Sequence, residues 1–407
     1  MATKNLALSQ LSGEKTYTEI VFKQVWGKVE VYQSAHPQQK IFMMAFGDTT
    51  QPLPPTVVRA LVDAANRLGD REAYTGYEDV TGNPELRQAI CTNYYQKKLS
   101  IELEPSEVFI SDGAQSALVN IQELFALDNR VAVQNPTYPS FVEGTLLAGR
   151  PLINLPCHED NNFVPKLPSE KVDLIYLCFP NNPTGVVATR KQLQAFVDYA
   201  RSHQAVIIFD AVYSEFITLP NIPRSIYEVE GAKECAIEIG SFSKMANFTG
   251  LRVGWCIIPE ALTIKGTVPG ELNHLWRIRH SIKFWGTANV AQHGAIAVLS
   301  ELGQSEYQKV VNYYLQNAGL LREGLEATGL KCFGGINSPF VWVKAPQGLS
   351  SWQFFDKMLQ FSGIVGVPGC VFGSSGEGFL RLSALGQRED INIAIENLRC
   401  IPLNSEK

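Results

Sequence analysis

Between about residues 105 and 260 the chain repeats one alternation: a short, continuous apolar run rich in β-formers, then a segment whose apolar positions recur with helical spacing. The runs are EVFISDG (107–113), RVAVQNP (130–136), DLIYLCFP (173–180), AVIIFDAVY (205–213) and CAIEIGSFS (235–243), and RKQLQAFVDYARSHQ (190–204) is one of the helical patterns. Strands without polar alternation are buried on both faces, which is the signature of a parallel sheet covered by helices on either side. The alternation therefore predicts an α/β fold with a large, mostly parallel sheet between helices and with ligands at the carboxyl ends of the strands.

From about residue 305 the pattern changes. SEYQKVVNYYLQNAGLLREGLEATG (305–329) reads as one amphipathic helix, followed by PFVWVKAP (339–346), another helix and GFLRLSAL (378–385), which together predict a smaller α+β domain. The expected division is an N-terminal arm with part of the small domain at 1–45, a large domain at 46–300 and a C-terminal small domain at 301–407. There is no internal repeat, low-complexity linker or long charge run.

With 407 residues, 45% of them hydrophobic, the chain can bury a large core. A formal charge of -5 offers no field for collecting nucleic acid or anionic membrane. The densest basic cluster, HLWRIRHSIKFW (274–285), reads as a helix packing into an interface. Eight cysteines, at 91, 157, 178, 235, 256, 332, 370 and 400, form no CxxC pair and no metal-ligand spacing with the six histidines. They read as small core residues of a reducing compartment. The N-terminal MATKNLALSQLSGEK lacks the apolar core of a signal peptide, and no run is long enough to span a bilayer. A cytoplasmic enzyme with neither nucleic-acid nor membrane partners is the expectation.

The polar residues at the strand ends carry the candidate chemistry. Asp210 closes AVIIFDAVY with Tyr213 three residues on, Asn182 follows DLIYLCFP, and Lys244 follows CAIEIG together with Ser241 and Ser243. Singly, Asp210 could cap a helix, Asn182 could shape a turn and Lys244 could be a solvated amine. Jointly they supply what pyridoxal phosphate needs: an amine for a covalent imine, a carboxylate to keep the pyridine nitrogen protonated, and donors for the phenolic oxygen. VFISDGAQSALVNIQELF (108–125) adds a strand, a tight Asp112-Gly113 turn and a helix entry facing an anion.

NNPTG (181–185), DAVY (210–213) and SFSK…GLRVGW (241–255), in this order, resemble the class I/II aminotransferases of pyridoxal-phosphate fold type I. GDTTQPL (47–53), GYEDVTGNPELR (76–87), FISDGA (109–114), FGG (333–335) and GFLRLSALGQRED (378–390) are similar to the LL-diaminopimelate aminotransferases in particular. The resemblance implies a seven-stranded-type sheet, a homodimer with shared active sites, and pyridoxal 5′-phosphate. It implies that Lys244 carries the cofactor and moves the α-proton, that Asp210 holds the pyridinium proton, that Asn182 and Tyr213 bind the phenolic oxygen and that Tyr138 stacks on the ring. Ala114, Gln115, Ser241, Ser243 and Arg252 would hold the phosphate, with Tyr77 reaching in from a second subunit, and Arg381 would grip the substrate carboxylate near Gly47.

Three positions depart from the diaminopimelate pattern. Gln115 replaces a lysine among the substrate contacts, Trp285 replaces an asparagine lining the pocket, and Tyr17 aligns with a substrate-contacting tyrosine only after a one-residue slip. Losing a cation and gaining an indole, with Asp48 and Glu19 near the expected entrance, favours a cationic substrate end over a carboxylate. The expected function is transamination of a polar diamino or guanidino L-amino acid. The alternative is a dehydratase or cyclase acting on a γ-hydroxyarginine-like amino acid, resembling the enduracididine-forming cyclases.

Overall fold

The computed structural model describes Leu11 and residues 16–398. Apart from Leu11, the stretch read for a targeting signal lies outside the described residues, as does Cys400.

The large sheet has seven strands in the order Val108–Ser111, Gly254–Ile257, Ala236–Ser241, Val206–Asp210, Leu174–Cys178, Val131–Asn135 and Leu152–Pro156. All five predicted runs are strands, and the sheet is parallel except for Gly254–Ile257, which runs antiparallel to both neighbours. The reversal goes with the kind of connection. A parallel return normally carries a full crossover helix, and the segment 242–253 holds only the short helix Phe242–Met245. The two strands missing from the apolar pattern have separate reasons. Gly254–Ile257 opens on a glycine and has no separate helical pattern before it, and Leu152–Pro156 is a half-exposed edge strand with Pro151 before it and Pro156 at its end, as suits an edge.

The central strands are buried along their length because helices cover both faces. Arg190–His203, for example, turns Leu193, Phe196, Val197 and Ala200 inward and is capped by Thr189, whose side chain accepts from the Gln192 amide. The basic cluster forms the helix Glu271–Lys283, with Trp276 buried and with Arg279 and Lys283 paired to Glu123 at 3.0 and 2.9 Å.

A second sheet orders Val367–Pro368, Phe379–Ser383, Phe340–Lys344 and Cys332–Gly334 antiparallel, and Phe42–Met43 pairs in parallel with Ile364–Val365. Val21, Val25 and Val29 of the N-terminal helical segment are buried in the same core as Phe354, Phe355 and Leu380. The long helix Glu301–Ala327 serves both cores: Tyr307, Val311 and Tyr314 pack toward the large sheet, whereas Ala318, Leu321 and Leu325 pack toward the small one. Among the described residues no helix is long and apolar enough to cross a membrane, and no cluster of His, Cys, Asp or Glu could hold a metal. The described cysteines are all free.

Candidate active site

The carboxyl ends of the sheet open into a cavity of about 500 Å³ that reaches the small domain. Lys244 enters it because the strand Ala236–Ser241 stops at a capped turn: Ser241 Oγ accepts from the Ser243 amide at 3.1 Å and starts the short helix that carries the lysine. Lys244 Nζ donates to the Gly47 carbonyl at 2.5 Å. Burial pulls its pKa down to about 8, opposed by Asp48 and aided by Arg252 and Arg381. At that pKa roughly a tenth of the amine is neutral at pH 7, far more than for an ordinary lysine, and the neutral form is what a nucleophile or general base requires.

Asp210 ends the neighbouring strand and is only 4% exposed. Burial raises its carboxyl to about 6, while the Val212 amide, donating at 3.0 Å, and the Cys178 thiol hold it down. Among the described residues no Lys, Arg or His pairs with it, so an ionised Asp210 lacks a cation that a protonated ring nitrogen would supply.

Arg381 faces the cavity from the small-domain strand Phe379–Ser383 and is 2% exposed. Its Nη1 donates to Asn182 Oδ1 at 2.8 Å and its Nη2 to the Ala45 carbonyl at 2.5 Å. Nε has no partner, and among the described residues no carboxylate pairs with the guanidinium. The rings of Phe340 and Phe372 each lie 4.7 Å from Cζ, so the cation is held by aromatic faces. A buried guanidinium with spare donors is a receptor for an external carboxylate.

Opposite lies an anion cradle. Gly113, at φ 102°, brings its backbone so near Arg252 that a Cβ would sit 2.5 Å from Nη2. A Cβ on Gly254 would lie 2.9 Å from the Ala114 amide nitrogen. Arg252 Nη1 donates to the Thr249 carbonyl at 3.0 Å, and Ser241 Oγ donates to Ser243 Oγ at 2.9 Å, so guanidinium, hydroxyls and the helix entry at Ala114 crowd one wall. On the adjacent wall Tyr138 donates its hydroxyl to Gln115 Oε1 at 2.6 Å, and Gln115 Nε2 donates to Ser140 Oγ at 2.6 Å.

Of the residues expected from the sequence, Tyr17, Gly47, Ala114, Gln115, Tyr138, Asn182, Asp210, Tyr213, Ser241, Ser243, Lys244, Arg252 and Arg381 all line this cavity. Tyr77 and Trp285 do not. They are 90% and 51% exposed and meet edge to face on the surface, ring centroids 6.0 Å apart. Asp48 lines the cavity, whereas Glu19 pairs with Lys23 at 3.6 Å outside it. Trp26, Phe46, Leu118, Val212 and Thr249 are lining residues that the sequence reading passed over. Trp26 and Phe46 stack at 5.8 Å, a contact between a helix and a loop that has no local sequence signal.

A sequence model of the family described as Aminotransferase class I and II matches residues 40–398. The chain belongs to that family. The structure of an L,L-diaminopimelate aminotransferase from Chlamydomonas reinhardtii is similar at 34% identity and a TM-score of 0.90, over 98% of both chains. BacF from Bacillus subtilis (24% identity, TM-score 0.83, all of both chains) and an aminotransferase from Mycobacterium tuberculosis (23%, 0.85, 99% of this chain and 100% of that one) share the fold. As a class I/II aminotransferase the enzyme depends on pyridoxal 5′-phosphate. The residues present fit that group: an amine, an unpaired buried carboxylate and an anion cradle face one cavity.

Proposed function

We propose that this aminotransferase moves the α-amino group of a polar L-amino acid with a diamino or guanidino side chain. The observation that carries the reading is that Lys244 and Asp210, at adjacent strand ends of the large sheet, line one cavity with Arg381, which pairs with no carboxylate among the described residues. Bound pyridoxal phosphate supplies the electron sink. Lys244 would hold it covalently and would serve as the base for the substrate Cα proton, a role its lowered pKa suits by leaving a useful neutral fraction. Asp210 would keep the ring nitrogen protonated, Asn182 and Tyr213 would bind the phenolic oxygen, and Tyr138 would pack on the ring. Arg252, Ser241, Ser243 and the amides of Ala114 and Gln115 hold the phosphate, while Arg381 forks onto the substrate carboxylate beside Gly47.

Two observations support the diamino or guanidino class of substrate. The cavity's cations, Lys244, Arg252 and Arg381, are each committed by these roles, and Asp48 is left as a carboxylate without a paired cation among the described residues. The identity with the Chlamydomonas diaminopimelate enzyme supports the diamino class. The exposed pair of Tyr77 and Trp285 supports a homodimer in which these side chains serve the other subunit's cavity.

The test is to incubate the holoenzyme with L-arginine, L-lysine or LL-diaminopimelate, with and without pyruvate or 2-oxoglutarate, and to weigh the products. Transamination gives repeated turnover only with the oxo acid. With γ-hydroxyarginine added as a fourth amino acid, its turnover with loss of water and no oxo acid overturns the reading in favour of elimination and cyclisation.

A further inference from the structure

One contact links the N-terminal segment, which packs in the small-domain core, to the large domain at the mouth of the cavity. Tyr17 begins a helical segment, so its backbone N–H has no acceptor within that helix. It donates instead to Glu143 Oε1 at 2.5 Å. Glu143 lies on the helix Pro139–Leu147, which starts directly after Tyr138 and is anchored on the large sheet by Phe141 stacked on Tyr176 at 4.9 Å. Among the described residues no Lys, Arg or His pairs with Glu143. A carboxylate at a free helix amide is favourable both as a charge-assisted hydrogen bond and against the positive end of the helix.

The contact leads toward the substrate. The Tyr17 ring lines the cavity and lies 5.8 Å from the Phe372 ring, and Phe372 lies 4.7 Å from Arg381 Cζ. Releasing the Tyr17 backbone from Glu143 would free the ring that meets Phe372 at a tilt of 47°, and the aromatic face beside Arg381 would lose that neighbour.

We propose that Glu143 is a positioning residue for amino-acid binding, seating Tyr17 on Phe372 and thereby fixing the Arg381 side of the cavity. The inference rests on the reading that Arg381 takes the substrate carboxylate. Glu143 touches neither cofactor nor substrate in this role; it acts through the Tyr17 amide.

Holoenzyme titrated with L-arginine, L-lysine and LL-diaminopimelate, followed by the cofactor absorbance, tests it. Glu143→Ala should weaken amino-acid binding about tenfold, the worth of one hydrogen bond to a charged group, while cofactor affinity and melting temperature stay close to wild type. Glu143→Gln keeps an acceptor at the same reach and should bind within about threefold of wild type. Glu143→Asp keeps the charge but falls short of the amide and should resemble the alanine variant. Binding by Glu143→Ala within twofold of wild type overturns the proposal. So does an aspartate variant that behaves as wild type, or a parallel loss of cofactor affinity and melting temperature, which would mark a merely structural residue. A wild-type absorbance unmoved by all three amino acids removes the proposed activity and this inference with it.

Discussion

Gly113→Ala is the sharpest perturbation of the anion cradle, because the structure sets both of its costs. At φ 102° and ψ 164° Gly113 occupies backbone space that is almost closed to other residues, and forcing alanine there costs about 1–3 kcal/mol. The new Cβ would stand 2.5 Å from Arg252 Nη2 and 2.9 Å from Cζ. No rotation of a methyl relieves that, so the guanidinium must swing away and give up its 3.0 Å bond to the Thr249 carbonyl. With Arg252 in its proposed role on the cofactor phosphate, losing that one charge-assisted contact is worth about 1.5–3 kcal/mol, or roughly 10- to 150-fold in the dissociation constant. The assay is equilibrium titration of apoprotein with pyridoxal phosphate, followed by tryptophan quenching. A Lys244→Ala background is used so that covalent capture does not mask the non-covalent affinity. Thermal unfolding reports the backbone strain as a loss of a few degrees. Gly250→Ala is the control: nothing lies within 4 Å of its Cβ, and both readouts should hold within about 0.5 kcal/mol. Wild-type affinity and melting temperature in Gly113→Ala would refute the geometric argument.

Lys244→Ala should abolish covalent attachment: borohydride reduction and mass spectrometry should find the cofactor mass on the peptide containing Lys244 in wild type and on no peptide in the variant, and a labelled peptide elsewhere would displace the assignment. Glu238 predicts a pH dependence of stability away from the cavity. Burial raises its carboxyl from 4.5 to about 7, despite donors from Tyr95, Ser225 and the Ile226 amide, each at 2.7 Å. The folded chain therefore holds a proton that the unfolded chain has lost, and this contribution is present in full below pH 4.5 and is lost as pH rises through about 7. The slope in that window is at most about 1.4 kcal/mol per pH unit. Glu238→Gln should flatten it in urea unfolding, and a difference between wild type and variant that does not change across the window would contradict the assignment.

The parallel core of the sheet was legible in the sequence because strands buried on both faces must be written as unbroken apolar runs, whatever surrounds them. Asp210, Asn182 and Lys244 were legible for a related reason: they follow those runs directly, and the end of a parallel strand is where the chain turns toward a ligand. The antiparallel strand Gly254–Ile257 was not, since its direction depends on a connection from Ser241 that carries no full crossover helix. Nor was the double allegiance of the helix Glu301–Ala327, whose apolar stripe has one period while its two halves meet different cores. Trp285 illustrates the limit at the site: the residue was readable, but only the packed chain sets it beside Tyr77 on the surface and outside this chain's own cavity. The cavity's outer wall, with Trp26 on Phe46 and Tyr17 held by Glu143, joins residues separated by long stretches of chain. Local sequence encodes the propensity and chemistry of each residue, but such contacts exist only once burial of two cores has brought their carriers together.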